Sequence, residues 1–324
     1  MTIWNEQDPK KIEKKRITRT ANAIGFAFLI GYIGTTALQF FLTKVVPSEI
    51  LSADGFMWLL QIVLSTLIFT IPFIIMTSGM NTRVSVACSF KKVESGLFLP
   101  IVLCGMGVCM VANVLGSVTT SIFYSLGFTD ANSSLNSDAS GGLILPIIAI
   151  LAGAFLPGLI EEFALRGIVL GSLKKFGFGF AIISSSVMFG LMHATFSQMP
   201  FAFIIGLYLG FSVIRTGSMW PAVIIHILNN LFAFLTESLA SVVSDKSISI
   251  INIIYFLLMA TLGFLGIYIG RKKDIFSLTE EETDSKLTLS EKLKAFFSSV
   301  GIILTIIYVA FEILLVQIMR VLNI

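Results

Sequence analysis

The chain has 324 residues, of which 56% are hydrophobic and only 13% are charged, and its net charge is +3. Soluble domains carry about 25% charged residues, so this chain lacks the polar surface that keeps a globule in water. The composition therefore indicates an integral membrane protein and excludes a fibrous, disordered or nucleic-acid-binding chain. Three scattered cysteines are too few for a disulfide framework or a thiolate metal site, so we expect inert thiols at Cys88, Cys104 and Cys109.

Long apolar runs are the dominant pattern along the chain. A transmembrane helix needs about 20 predominantly apolar residues, and nine runs approach that length. They predict an all-α, polytopic membrane bundle of eight or nine transmembrane helices. The fifth and sixth runs are short, so this part of the chain can instead hold a re-entrant or broken element. In chain order the runs are Ala21–Thr43, Phe56–Met76, Leu97–Leu126, Leu143–Leu173, Phe178–His193, Met199–Ile214, Met219–Leu239, Ile250–Ile269 and Ala295–Met319.

The basic residues predict the orientation, because Lys and Arg concentrate in the cytoplasmic loops of membrane proteins. With the N-terminus inside, 18 of the 22 Lys and Arg residues fall in inner segments, three fall in outer segments and Arg166 lies within a span. We therefore expect a cytoplasmic N-terminus. The predicted divisions are a basic cytoplasmic N-terminal segment (1–20), N-terminal transmembrane helices (21–142), a core with the polar motifs (143–239) and C-terminal helices (240–324) with a cytoplasmic linker (271–294).

An ionisable side chain inside the bilayer costs several kcal/mol of free energy unless it is paired or hydrated, so each one is a candidate functional residue. The fourth run contains Glu161, Glu162 and Arg166 in otherwise apolar sequence. On a helix Glu162 and Arg166 are i,i+4 neighbours and can form an ion pair, whereas Glu161 projects about 100° away from Glu162. We expect Glu162 to be neutralised by Arg166 and Glu161 to be left free. Glu312 lies within the last run, and the sequence indicates no partner for it.

The two histidines of the chain, His193 and His226, both lie in apolar runs. Asn230 follows His226 by one helical turn on the same face. Counted from the adjoining inner turn at 1.5 Å per residue, Glu161 and His193 lie about 20 and 24 Å along their helices, which places them at similar depth. Glu161, His193, His226 and Asn230 can therefore converge on one polar cavity within the membrane. The structural alternative is a protonated Glu161 facing a neighbouring helix, with histidines that serve only helix packing.

The chain resembles the CPBP family, which comprises the type II CAAX prenyl endopeptidases and the bacterial abortive-infection and bacteriocin-processing proteins. The resemblance covers about 70 residues and rests on three ordered motifs, Glu161-Glu162-x-x-x-Arg166, Phe189-x-x-x-His193 and His226-x-x-x-Asn230. It implies an intramembrane endopeptidase. The implied setting is a multi-pass protein of a bacterial plasma membrane, and the implied substrate is a membrane-associated peptide or protein rather than a prenylated CAAX protein.

The same resemblance implies roles for the motif residues. Glu161 and His193 would activate a water, and His226 with Asn230 would form the oxyanion site. Glu162, Arg166 and Phe189 would support them.

Peptide hydrolysis needs a base for water and donors for the oxyanion, which the four residues can supply without a metal. We therefore expect no cofactor. Zinc is the mechanistic alternative, with Glu161, His193 and His226 as its ligands, because three such ligands and an open position suit hydrolysis. The chain lacks a His-Glu-x-x-His motif, which favours the metal-free chemistry. Two other functions stay open, a non-catalytic partner such as a bacteriocin self-immunity protein and a proton-coupled transporter.

Overall fold

The computed structural model describes residues 8–51, 54–80, 82–128, 144–240, 242–278 and 285–322. These residues form helices and connecting turns without a β-strand, which confirms the predicted polytopic helical membrane bundle. The main helices are α1 (Pro9–Val45), α2 (54–80), α3 (Ser95–Ser125), α4 (144–173), α5 (Phe178–His193), α6 (Gln198–Thr216), α7 (Trp220–Ala240), α8 (Asp245–Lys272), α9 (Leu289–Phe297) and α10 (Val300–Leu322).

In the described part of the chain, seven helices are long and apolar enough to cross a membrane, namely α1, α3, α4, α6, α7, α8 and α10. The two remaining predicted runs correspond to α2, which contains a π-helical segment at Ser65–Phe69, and to α5, which has 16 residues. The turn at residues 194–197 separates α5 from α6, so each of the two short runs forms its own helix. A total of eight or nine spans stays a prediction.

Two predicted boundaries differ from the observed ones. Helix α1 begins at Pro9 rather than Ala21, because the Asp8 side chain accepts a hydrogen bond from the Lys10 backbone N–H and Pro9 suits the first helical position. The predicted last run is divided, since α9 ends at Phe297 and α10 begins at Val300. A capping box between Thr288 and Glu291 starts α9 inside the predicted linker 271–294, of which 279–284 lie outside the described residues.

Helix α4 contains two π-helical segments, Leu151–Phe155 and Phe163–Leu170. Pro157, which has no backbone N–H to donate, lies two residues after the end of the first segment. The second segment begins directly after Glu162, contains Arg166 and is buried from Ala164 to Leu170. Single π-helical turns are frequent at functional sites. The polar motif therefore lies at an irregular, tightly packed point of the bundle.

The helices differ in how deeply they are buried. Buried side chains of α4, α5 and α6 form the centre of the core together with parts of α1 and α3. Helix α8 packs along α3, and α10 packs along α1, with large apolar side chains such as Phe264 and Phe311 exposed. In a bilayer such exposed apolar faces are the lipid contacts. The polar motifs thus lie in the part of the bundle that is best shielded from lipid.

Helices α1 and α10 cross at glycines, which lets their backbones touch. A side chain at Gly25 would collide with the backbone of Gly301. The Gly301 N–H donates to Asn22 Oδ1 at 2.9 Å, and the Thr305 hydroxyl donates to the Gly25 carbonyl at 3.0 Å. Small residues and interhelical hydrogen bonds are the usual means of helix association in membranes. Helices α1 and α10 therefore form a closely packed pair.

The segments predicted to be cytoplasmic contact one another at one end of the bundle. Their hydrogen bonds run from Ser285 and Lys286 to Glu13, from Lys175 to the Met80 carbonyl, from Lys292 to the Phe176 carbonyl, and from Arg215 to the Ile275 carbonyl. At the other end Phe123 stacks on Phe196 with 4.3 Å between ring centroids, and Arg320 contacts the Gly127 carbonyl. Several of the basic segments that the charge distribution assigns to one side therefore meet at one end of the bundle. Which end faces the cytoplasm stays a prediction.

Cysteine labelling tests the orientation. With the N-terminus inside, a Ser134→Cys variant should react with an impermeant maleimide added to intact cells, whereas Ser277→Cys should react only after the cells are lysed. Ser277 is exposed between α8 and α9, and Ser134 lies outside the described residues. The parent chain is the background control, because Cys104 and Cys109 are buried and burial raises the pKa of the Cys88 thiol to about 11. Reversed labelling would contradict the predicted orientation.

Candidate active site

A buried ion pair within α4 anchors the site. Arg166 Nη1 donates to Glu162 Oε1 at 2.8 Å, and both side chains are fully shielded from solvent. This is the ion pair that the i,i+4 spacing predicts. The same oxygen also lies 2.8 Å from His226 Nδ1 of α7, so one carboxylate oxygen holds groups from two helices. Glu162 therefore links the first and third motifs directly.

Phe189 of α5 joins the second motif to this cluster. The Arg166 guanidinium lies over the Phe189 ring at 4.2 Å from its centroid, within range of a cation–π interaction. The ring also packs edge-on against His193 and His226, with centroid distances of 5.1 and 5.5 Å. Phe189 is itself buried. Its aromatic ring thus fixes the relative positions of α4, α5 and α7.

Glu161 and His193 line one cavity of about 130 Å³. A water molecule occupies about 30 Å³ in the liquid, so this space suits a few waters or part of a peptide. Glu161 is half-buried, and its Oε2 lies 3.7 Å from His226 Nε2, beyond hydrogen-bond distance. The remaining lining residues are Gln61, Phe69, Pro157, Ile160 and Met192. The free glutamate that the sequence predicts thus faces a space that also reaches a histidine.

The hydrogen bonds of His193 define which ring nitrogen is available for chemistry. Its Nδ1 lies 2.9 Å from the Phe189 carbonyl, four residues earlier on α5. A carbonyl only accepts, so Nδ1 carries the proton and the neutral ring leaves Nε2 as an acceptor. His193 can therefore receive a proton from a water in the cavity.

His226 has the same tautomer but a different acceptor. Its Nδ1 donates to the Glu162 carboxylate, and Nε2 points towards Glu161. A neutral ring in this tautomer presents a lone pair at Nε2, so it donates there only as the imidazolium. His226 can thus supply an N–H to a developing oxyanion while it is protonated.

Asn230 is half-buried on α7, one turn after His226. Its Oδ1 accepts a hydrogen bond of 3.5 Å from the Asn229 amide, and Asn229 is the more buried of the two. The role of Asn230 in an oxyanion site stays a prediction.

The proposed zinc ligands can be compared with the geometry. Within the described residues, no group of three or more His, Cys, Asp or Glu side chains is arranged to hold a metal ion. In both histidines Nδ1 is engaged, by the Glu162 carboxylate in His226 and by a backbone carbonyl in His193, and Nε2 is left free. The described residues as placed do not form a metal site of three ligands.

Several contacts at the site were not predicted from the sequence. Gln61 and Phe69 of α2 form part of the cavity wall, although α2 carries no motif. The second bond of Glu162, to His226, depends on how α7 packs against α4. Glu312 has a partner on its own helix, since the Tyr308 hydroxyl donates to its Oε1 at 2.6 Å. The i,i+4 spacing of Tyr308 and Glu312 is the signal that could have predicted this pair.

One comparison with known proteins covers the segment that carries these motifs. Residues 143–232 match the family described as "Type II CAAX prenyl endopeptidase Rce1-like". A protein of Bacillus subtilis (strain 168) described as "Putative membrane peptidase YdiL" is 26% identical over 149 residues, which are 45% of this chain and 59% of that protein. The match thus spans less than two thirds of that relative. No solved structure matches the chain significantly.

Proposed function

The match over residues 143–232 confirms the resemblance to the CPBP family, and on this premise we propose that the protein is an intramembrane endopeptidase. It hydrolyses peptide bonds of membrane-associated peptides or proteins through a water activated by Glu161 and His193. The family match and the peptidase relative support a membrane protease as the general function. The proposed setting is the plasma membrane of a bacterium.

The observation that carries the proposal is the shared cavity of Glu161 and His193 beside a fixed cluster of Glu162, Arg166 and His226. A water between Glu161 and His193 Nε2 has an acceptor on each side. As its oxygen bonds to the scissile carbonyl carbon, its proton passes to one of these acceptors. When the C–N bond breaks, that proton moves to the leaving amine, so the catalytic groups return to their initial states.

The oxyanion of the tetrahedral intermediate needs preorganised donors. We assign this role to the Nε2–H of protonated His226 and to the Asn230 amide. Glu162 supports the assignment for His226, because its buried carboxylate accepts a hydrogen bond from Nδ1 and fixes the ring. Arg166 in turn holds Glu162, and thus acts through it rather than on the substrate.

The cavity wall suits an apolar peptide segment. Phe69, Pro157, Ile160 and Met192 present apolar surface around Glu161. Substrate side chains of similar character would fill this space and displace water. A membrane-associated peptide or protein with an apolar segment at the cleavage site is therefore the substrate class that we assign.

Hydrolysis can be tested directly with the full chain reconstituted in nanodiscs. A panel of membrane-inserted peptides is incubated in H₂¹⁸O, and the products are identified by mass spectrometry. The proposal predicts new termini and one ¹⁸O in each new carboxylate, with both strongly reduced for Glu161→Gln. Equal cleavage by parent and variant would remove Glu161 from the mechanism and overturn the proposed activation of water. A self-immunity partner or a proton-coupled transporter would produce no new termini.

Chelation distinguishes the metal-free mechanism from zinc catalysis. We expect purified protein to contain far less than one zinc per chain and to keep its activity after prolonged chelation, because protein groups alone activate the water. Elemental analysis and the peptide assay before and after chelation measure both quantities. Stoichiometric zinc, with activity lost on stripping and restored by the metal, would instead make Glu161, His193 and His226 ligands.

A further inference from the structure

Tyr32 of α1 contacts the helix that carries His193, although it lies outside the matched residues 143–232. Its hydroxyl donates to the Leu191 carbonyl at 2.9 Å, across 159 positions of sequence. Leu191 precedes His193 by two residues on α5. A side chain far away in the sequence thus reaches the last turn of the histidine helix.

The carbonyl groups in the last turn of a helix have no hydrogen-bond donor within the helix itself. Helix α5 ends at His193, and Ala194 follows with a left-handed φ of 49°. The Ala194 N–H donates to the same Leu191 carbonyl at 3.2 Å. The final carbonyls of a helix need such external donors, and in a membrane water is a poor substitute. Tyr32 therefore supplies the second donor that fixes the end of α5.

The Tyr32 ring is itself held firmly. It stacks on Tyr308 of α10 with 5.4 Å between centroids and meets Phe69 edge-on at 6.2 Å. Phe69 lines the cavity of Glu161 and His193. The α1–α10 pair thus connects to the cavity through Tyr32.

We propose that Tyr32 is a positioning residue for His193, which it holds in register with Glu161 through the Leu191 carbonyl. The expected effect of Tyr32 on catalysis rests on the proposed function. The Phe189 carbonyl fixes the His193 ring and Tyr32 fixes the helix end beneath it, so the two contacts together define where Nε2 lies. Misplacement of a catalytic group by about 1 Å can cost about 10²-fold in rate.

The matched variants are Tyr32→Phe and Tyr308→Phe, since each removes one hydroxyl and keeps the stacked rings. Tyr32→Phe should lower kcat about tenfold with KM within about twofold and should shift the pH profile of kcat. Tyr308→Phe should leave kcat and its pH profile at parental values. Loss of thermal stability in both variants with parental kcat would show that Tyr32 has only a structural role and would overturn the proposal.

A second measurement does not depend on activity. The chain contains just two histidines, so ¹⁵N-histidine labelling gives two sets of ring signals, and a His193→Gln variant assigns them. Tyr32→Phe should change the His193 ring shifts and leave those of His226 near the parent, whereas Tyr308→Phe should change neither. Unchanged His193 signals in Tyr32→Phe would refute the positioning role. If the parent cleaves no peptide, the proposed function fails while the spectra still decide whether Tyr32 positions His193.

Discussion

Glu161→Gln is expected to lower peptide hydrolysis by about 10²–10⁴-fold, the range that a general base contributes. The amide is nearly isosteric but cannot accept the proton of the attacking water. Protein stability should stay close to the parent, because Glu161 Oε2 has no hydrogen-bond partner in the structure. The measurement combines kcat/KM for one cleaved peptide with thermal unfolding in the same nanodiscs.

Asn230→Ala provides the comparison for this result. Loss of one oxyanion donor typically costs about 10²–10³-fold, so this variant should keep detectable turnover when the assay is sensitive enough. Parental activity in Glu161→Gln would remove this glutamate from the mechanism and leave His193 as the base. Parental activity in Asn230→Ala alone would remove only the second oxyanion donor.

The helical membrane architecture was predictable because apolar run length is a local property of the sequence. The ends of the helices were less predictable, since they depend on caps and not on hydropathy. Asp8 and Pro9 start α1 within a strongly charged segment, and Thr288 starts α9 before the last apolar run. The π-helical segments of α4 were not predicted either, because they depend on packing against several neighbouring helices.

At the site, the Glu162–Arg166 pair was predictable because both residues lie on one helix at a fixed spacing. The bond between Glu162 and His226 was not predicted, since it requires the relative rotation of α4 and α7. The cavity wall from α2 and the Tyr32 contact from α1 depend likewise on tertiary packing. The spacing within one helix thus indicated the ion pair, whereas the contacts between helices required the structure.

Glu162→Gln is expected to destabilise the protein by about 3–5 kcal/mol, the usual effect of removing one partner from a buried ion pair. The substitution leaves the Arg166 guanidinium without its carboxylate in a fully shielded position and takes the charged acceptor from His226 Nδ1. Glu161→Gln is the matched control, since it makes the same chemical change one residue earlier. Chemical or thermal unfolding in nanodiscs should therefore separate the two neighbouring variants clearly.

The double variant Glu162→Gln with Arg166→Met tests whether the unpaired charge is the cause. Replacing a buried ion pair by uncharged groups of similar volume is often close to neutral, whereas breaking the pair is costly. We therefore expect the double variant to recover much of the stability that Glu162→Gln loses, while hydrolysis stays impaired because His226 has lost its carboxylate. A Glu162→Gln protein as stable as Glu161→Gln would show that the ion pair contributes little to the fold. A double variant less stable than Glu162→Gln would show that Arg166 stabilises the bundle chiefly through its packing on Phe189.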